Sequence, residues 1–170
     1  MDAGISWSSG TPAGPIAGCG VAAQCGDEFQ VSELGDGGIV GVSRHPGGPA
    51  LALSTTEGAS FGPMRTLPEL ETPSCQTSIL NANRGGHQDR LVISAPFSKS
   101  SRSNMTLSTG TATGGWSPIV QLSPTSASYG GYSALAELSD GDLLCMWEGP
   151  CLASDPNGLN MFCLATIRLG

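Results

Sequence analysis

The sequence predicts an all-β fold built from repeated four-stranded sheets, as in β-propellers. The first observation is composition: charged residues make up only 12% of the 170 residues, whereas 25 glycines and 12 prolines favour short strands and tight turns over amphipathic helices. The second is a turn pattern that recurs at a nearly constant spacing. The third is a series of short strand-like segments between these turns.

The recurring turn is found at residues 2–7, 54–61 and 109–116. Each copy combines small residues with a glycine, or with a threonine in the third copy, and ends on an aromatic residue. These aromatics, Trp7, Phe61 and Trp116, lie 54 and 55 residues apart. A period of about 50 residues with a fixed aromatic is typical of propeller blades, each of which is a four-stranded sheet.

Strand-like segments fill the intervals between these turns. Turn residues separate them at short and fairly even distances, as in all-β repeats. The predicted strands cover residues 28–34, 39–44, 50–54, 75–80, 91–95, 105–108, 132–138, 143–148 and 161–169. We therefore assign residues 1–170 to a single domain.

The first two predicted strands form a hairpin with charges at its open end. A Gly-Asp-Gly-Gly turn joins them, and if Leu34 pairs with Ile39, Glu28 falls within one residue of facing Arg44. The two side chains could then meet across the ladder. Arg44 lies at the end of an apolar strand face, so it needs an anion, either from this chain or from a ligand.

A second hairpin repeats this pattern 104 residues later. Leu-Gly-Asp-Gly at 34–37 aligns with Leu-Ser-Asp-Gly at 138–141, and the same offset carries Glu28 onto Tyr132 and Arg44 onto Glu148. Equivalent strand positions of successive propeller blades face one common mouth. We therefore expect these four side chains to converge.

The charge balance excludes some classes of partner. The formal net charge is -7 with only seven Lys and Arg, which argues against a surface for nucleic acid or anionic membranes. No apolar run approaches the roughly 18 residues that a membrane span needs, and Met1 is not followed by a basic and then hydrophobic leader. We expect no nucleic-acid partner, no membrane span and no targeting signal in this chain, and the cellular location stays open.

The six cysteines form no C-x-x-C pair, so we expect no metal site. Disulfides and buried free thiols are both compatible with their positions. Because the cysteines lie among strand-like segments, the buried thiol is slightly favoured.

The recurring turn resembles the Asp box, or BNR repeat, Ser-x-Asp-x-Gly-x-x-Trp, of the exo-α-sialidases (neuraminidases). The copy at 2–7 lacks the leading serine, the copy at 54–61 has Thr56 in place of the aspartate, and the copy at 109–116 is the least similar. Other propellers also contain Asp boxes. The residues between the turns add specificity because they follow the order and approximate spacing of the sialidases: Glu28 to Val31, Arg44, Cys75-Gln76, Arg102, Tyr132-Ser133 and Met146-Trp147-Glu148.

This resemblance implies a six-bladed β-propeller of the sialidase type, of which the chain covers about three blades in the C-terminal half of the catalytic domain. It implies hydrolysis of terminal sialic acids from glycoproteins, glycolipids or oligosaccharides by a retaining mechanism, without a cofactor. The nucleophile in this family is a tyrosine, an exception to the usual pair of carboxylates.

The resemblance also assigns roles to individual residues. Tyr132 matches the nucleophile, and Glu28 matches the carboxylate that takes its phenolic proton, which is needed because a free phenol has a pKa of about 10. Arg44 and Arg102 match two of the three arginines that hold the substrate carboxylate by charge-assisted hydrogen bonds. Glu148 matches the glutamate that supports the first arginine.

Each of these residues has an ordinary structural alternative. Tyr132 could be a core or rim aromatic, Glu28 could pair with Arg44 alone, and Tyr129 is a rival to Tyr132 that falls in a Ser-Tyr-Gly-Gly turn. Arg102 could be a surface cation.

The first arginine and the aspartic acid that protonates the leaving group lie, in the family, upstream of the stretch that matches here. We therefore expect the isolated chain to be weakly active or inactive. A non-catalytic glycan-binding or scaffold propeller module is the alternative function, and a kelch-like interaction propeller is a third that explains the period but not the arginines.

Overall fold

The computed structural model describes residues 27–83, 90–123, 131–149 and 162–169. These residues form only strands, turns and irregular segments, and within them no helix is long and apolar enough to cross a membrane. The strands are β1 (Asp27–Glu33), β2 (Ile39–Arg44), β3 (Ala50–Ser54), β4 (Arg65–Thr66), β5 (Ser78–Asn81), β6 (Leu91–Pro96), β7 (Met105–Thr111), β8 (Gly114–Gln121), β9 (Ser133–Glu137), β10 (Leu143–Glu148) and β11 (Phe162–Ile167).

The strands form three antiparallel sheets in chain order. The first sheet has the order β1-β2-β3-β4, the second β5-β6-β7-β8, and the third β9-β10-β11. Each strand pairs with its neighbour in the chain, which is the connection that short turns permit. The predicted all-β class is confirmed; propeller closure, the number of blades and the single domain over residues 1–170 stay predictions.

Two strands were not predicted. The pairing of β4 with β3 covers only two residue pairs, and β8 begins with Gly-Gly and contains Pro118, a composition that favours turns over strands. The prediction of a turn over residues 109–116 was therefore too wide, because β7 continues to Thr111 and β8 starts at Gly114. The turn itself is confined to residues 112–113.

The second sheet is covered on both faces. All six residues of β6 are buried, and successive side chains point to opposite faces. Ile93 packs with residues of the first sheet, including Val40 and Leu51, in one apolar cluster. Val92 belongs to a second cluster that includes Leu143 of the third sheet. The three sheets therefore form a stack in which the second sheet lies between the other two.

Hydroxyl groups hold the turn at residues 54–61. The Ser54 Oγ accepts hydrogen bonds from the backbone N–H groups of Thr56 at 3.2 Å and Gly58 at 3.0 Å. The Thr56 Oγ1 accepts a hydrogen bond from the Ser60 N–H at 2.9 Å, so the threonine supplies an acceptor oxygen in this turn. The copy at residues 2–7 lies outside the described residues.

The structure shows cysteines in both states. Cys75 and Cys145 are buried free thiols, whereas Cys163 is disulfide-bonded. The other three cysteines lie outside the described ranges. The slight preference for buried thiols therefore holds for two of the three cysteines that can be compared.

Candidate functional site

The β1–β2 hairpin carries its charges at a β-bulge. Glu33 pairs with Ile39, and the Leu34 N–H donates to the Gly38 carbonyl at 2.7 Å, so the expected Leu34–Ile39 pairing was wrong by one residue. At the open end the register shifts between Asp27 and Phe29, which leaves Glu28 without a partner across the ladder. The bulge leaves Glu28 next to Asp27, whose partner across the ladder is Arg44.

Glu28 has a φ of +44°, in the left-handed region that side chains other than glycine rarely adopt. Such a conformation costs free energy and persists only where the surroundings hold it. Glu28 is therefore a strained residue, and the contacts of its carboxylate are what the strain makes possible.

The Glu28 carboxylate bridges two side chains. Its Oε2 accepts a hydrogen bond from the Arg44 Nη1 at 3.1 Å, in an ion pair whose side chains are each about three-quarters buried. Its Oε1 accepts the hydrogen bond that the Tyr132 hydroxyl donates. The structure thus brings together three of the four side chains that the hairpin repeat predicted to converge.

Charges around the Tyr132 phenol shift its pKa. The hydrogen bond to Glu28 and the negative charge of that carboxylate raise the pKa of Tyr132, while the charges of Arg44 and Arg102 oppose this rise. The separate hydrogen bond that the Arg44 guanidinium donates to Glu28 raises the pKa of Arg44. The phenol of Tyr132 is therefore protonated at neutral pH, and the acceptor for its proton is already in contact with it.

Arg102 lies in the segment between β6 and β7 and is exposed. Its positive charge opposes the rise in the pKa values of Tyr132 and of Cys75. Within the described part of the chain, no residue forms an ion pair or a hydrogen bond with the Arg102 side chain. Its guanidinium group is thus open to an anion from solvent, and its charge acts on the Tyr132 phenol.

Glu148 holds the backbone of Tyr132. The Glu148 N–H donates to the Tyr132 carbonyl at 2.9 Å, and the Glu148 Oε2 accepts from the Tyr132 N–H at 3.2 Å. The Gly131 N–H donates to the Glu148 carbonyl at 3.0 Å, and a Cβ at Gly131 would lie only 2.3 Å from the Glu148 Oε2. The carboxylate can occupy this place only because residue 131 is a glycine.

A second group of residues fixes the strand that follows Tyr132. The Gln76 side chain forms two hydrogen bonds with the backbone of Ser133, at 2.9 and 3.2 Å, and the Ser133 hydroxyl lies 2.8 Å from that of Ser94. The sequence placed Gln76 in the sialidase-like order but gave it no role, because a contact between residues 57 positions apart leaves no local signal. Among the described residues, no cluster of three or more His, Cys, Asp or Glu could hold a metal ion.

No protein-family model matches the chain, and no curated protein matches it. Solved structures do. The intramolecular trans-sialidase of Ruminococcus gnavus is 24% identical with a TM-score of 0.59, over 71% of this chain and 28% of its own. The NanB sialidase of Streptococcus pneumoniae is 21% identical with a TM-score of 0.67, over 84% of this chain and 23% of its own. A protein of unknown function from Dyadobacter fermentans is 17% identical with a TM-score of 0.63, over 98% of this chain and 44% of its own.

These identities show the fold alone. The chain has a sialidase-like fold, and it spans about a quarter of the length of the two sialidases and less than half of the Dyadobacter protein.

Proposed function

We propose that this chain supplies one side of an exo-α-sialidase active site, in which Tyr132 is the nucleophile and Glu28 is its base. The observation that carries the proposal is the Glu28 carboxylate shared between the Tyr132 hydroxyl and the Arg44 guanidinium. A tyrosine rim residue or a plain ion pair would need only one of these contacts. Solved sialidases of the same fold support the assignment of the substrate class.

The proposed reaction begins at the Tyr132 hydroxyl. Its oxygen attacks the anomeric carbon of a sialic acid, the bond to the aglycone breaks, and the phenolic proton passes to the Glu28 Oε1. In the second step water attacks the same carbon and gives up a proton to the conjugate base of the acid that protonated the aglycone, the bond to the Tyr132 oxygen breaks, and Glu28 returns the phenolic proton to that oxygen. Two displacements at one carbon retain its configuration.

A phenol suits this substrate better than a carboxylate does. Sialic acid carries a carboxylate next to the anomeric carbon, so an anionic nucleophile would approach it against electrostatic repulsion. Tyr132 stays neutral until it attacks, because Glu28 raises its pKa. The negative charge of the Glu28 carboxylate is partly compensated by the Arg44 guanidinium at 3.1 Å.

Arg44 and Arg102 are the proposed binders of the substrate carboxylate. The charges of both arginines act on the Tyr132 pKa, which supports their assignment to the site, and Arg102 is exposed. A planar guanidinium group can donate two parallel hydrogen bonds to one carboxylate. The proton for the leaving aglycone has to come from an acid, and the resemblance matches that acid to no residue of this sequence.

Binding of an unsaturated sialic acid, 2-deoxy-2,3-dehydro-N-acetylneuraminic acid, tests the role of Arg102. A charge-assisted hydrogen bond contributes about 1.5–3 kcal/mol, so we expect Arg102→Met to raise the dissociation constant by about 10- to 100-fold in calorimetry or NMR titration.

The matched control is Arg168→Met. Arg168 is also exposed, but it pairs with Asp142 at 3.7 Å, at the end of the third sheet opposite Tyr132. Equal affinity of both variants would overturn the assignment of Arg102. Binding that survives Tyr132→Phe and Glu28→Gln, without any covalent chemistry at Tyr132, would instead indicate a glycan-binding module.

A further inference from the structure

Tyr132 and Glu28 belong to sheets that are not neighbours in the stack. Glu28 lies on β1 of the first sheet and Tyr132 directly precedes β9 of the third, while β5 of the second sheet contacts both β1 and β9. The distance between the phenol and the carboxylate therefore depends on how the second sheet holds each of the other two.

On the Tyr132 side, this connection is made by Gln76. Its Nε2 donates to the Ser133 carbonyl at 3.2 Å, and its Oε1 accepts from the Ser133 N–H at 2.9 Å. Gln76 is 4% exposed, and Ser133 is the residue that follows Tyr132. Two opposed hydrogen bonds to one residue act like a rung of a β-ladder, so they fix both the height and the tilt of the backbone there.

Other links on the Tyr132 side fix the direction of the backbone less completely. The Ser133 hydroxyl lies 2.8 Å from the Ser94 hydroxyl and donates to the Ser94 carbonyl at 3.3 Å, and the Cys75 Sγ donates to the Gly131 carbonyl at 3.6 Å. None of these contacts holds both the N–H and the carbonyl of one residue. The contacts of Glu148 with Tyr132 lie within the third sheet, so they move with it. Among these contacts, only those of Gln76 hold both the N–H and the carbonyl of one residue in the Tyr132 segment.

We propose that Gln76 is a positioning residue that holds the Tyr132 phenol against the Glu28 carboxylate. Its importance for catalysis rests on the proposed sialidase function, but its effect on geometry does not. A glutamine is suited to this place because it offers one donor and one acceptor on a planar group. Methionine has a similar length and offers neither, and an ionised glutamate can accept from the Ser133 N–H but cannot donate to its carbonyl.

Titration of Tyr132 provides a readout that a purely structural role would leave unchanged. The charged groups around the phenol are Glu28, Arg44 and Arg102, with Glu148 at its backbone. If the phenol moves away from Glu28, the pKa of Tyr132 falls towards its ordinary value. Biosynthetic 3-fluorotyrosine lowers the phenol pKa into a milder range, and fluorine NMR then follows the two tyrosines separately, with Tyr132→Phe giving the assignment.

Asn81→Leu is the matched control for Gln76→Met. Asn81 is also a buried amide that joins two sheets, since its Nδ2 donates to the Glu33 carbonyl at 3.1 Å. It acts at the end of β1 that is remote from Glu28. Gln76→Met removes two buried inter-sheet hydrogen bonds and Asn81→Leu removes one, so both substitutions are expected to lower the free energy of unfolding.

The proposal predicts that Gln76→Met lowers the Tyr132 pKa towards its ordinary value, in the same direction as Glu28→Gln, while Asn81→Leu keeps the value of the unsubstituted chain. Gln76→Leu removes the same two hydrogen bonds without adding a charge, is expected to lower the Tyr132 pKa in the same way, and serves if Gln76→Met does not fold. An unchanged Tyr132 pKa in the folded Gln76 variants would overturn the proposal.

This titration uses no sialoside. If the chain binds no sialic acid but the Tyr132 pKa responds to Gln76, then the positioning role stands and the proposed function fails. If sialic acid binds but the Tyr132 pKa does not respond, then the proposed function stands and the positioning role of Gln76 fails.

Discussion

The strained backbone at Glu28 leads to a prediction in which glycine is more stable than alanine. At a φ of +44°, a residue with a Cβ is disfavoured by about 1–2 kcal/mol relative to the right-handed region, and glycine avoids this cost. Glycine loses about 0.5–1 kcal/mol more than alanine in conformational entropy on folding. We therefore expect Glu28→Gly to exceed Glu28→Ala by about 0.5–1 kcal/mol in the free energy of unfolding.

The comparison isolates the backbone because both variants lack the carboxylate. Both lose the ion pair with Arg44 and the hydrogen bond from Tyr132, so these losses cancel. Val31 provides the control, since it lies on the same strand without a positive φ and its side chain is 54% exposed. At this position, the free energy of unfolding of Val31→Gly should be lower than that of Val31→Ala by about 0.5–1 kcal/mol.

Urea unfolding followed by circular dichroism measures all four variants. The two alanine-to-glycine differences should have opposite signs and differ by about 1–2 kcal/mol. If glycine is the less stable choice at both positions, the left-handed conformation of Glu28 is not strained, and the bulge is not what directs the carboxylate.

Three further predictions concern the core and the site. Burial raises the pKa of the Cys145 thiol to about 11 from an ordinary value of 9.0. The protonated thiol therefore contributes stability that is fully present below pH 9 and is lost as the pH rises through about 11, a change of about 3 kcal/mol. Cys145→Ala should remove this part of the alkaline loss of stability in urea unfolding measured against pH. Ile93→Ala should lower the free energy of unfolding by about 2–5 kcal/mol, whereas Leu164→Ala, at a side chain that is 65% exposed, should change it by less than about 0.5 kcal/mol, and equal effects would contradict the position of the core. Gly131→Ala should displace the exposed Glu148 carboxylate from the Tyr132 N–H and cost about 0.5–1.5 kcal/mol for the lost hydrogen bond in the same measurement, and a neutral effect would contradict the close approach.

The sequence predicted the strands whose pattern is local. The bounds of β2, β3 and β10 agree with prediction, since apolar side chains and flanking turn residues define these strands without help from the rest of the chain. It missed β8, whose Gly-Gly start and proline have low strand propensity; β8 forms because it pairs with β7 and buries Trp116.

Part of the site was predictable and part was not. The hairpin repeat indicated that Glu28, Arg44 and Tyr132 lie at equivalent strand ends, and the structure places them in contact. The bulge at Glu28 was not predictable, because a glutamate carries no sequence signal for a positive φ. The contact of Gln76 with Ser133 depends on the packing of two sheets, which no single segment encodes.

The central claim is that Tyr132 can act as a nucleophile with Glu28 as its base. A sialyl fluoride with a second fluorine at C3 tests it, because fluoride leaves without protonation and the C3 fluorine slows the hydrolysis of a covalent intermediate. The reaction therefore needs no acid beyond the residues of this chain.

The decisive measurement is mass spectrometry of the chain and its peptides after incubation with this reagent. We expect the mass of one fluorosialyl group on Tyr132 in the unsubstituted chain, and no such adduct in Glu28→Gln or Tyr132→Phe. An adduct that forms equally in Tyr132→Phe, or no adduct on folded protein that binds the unsaturated sialic acid, would contradict the account.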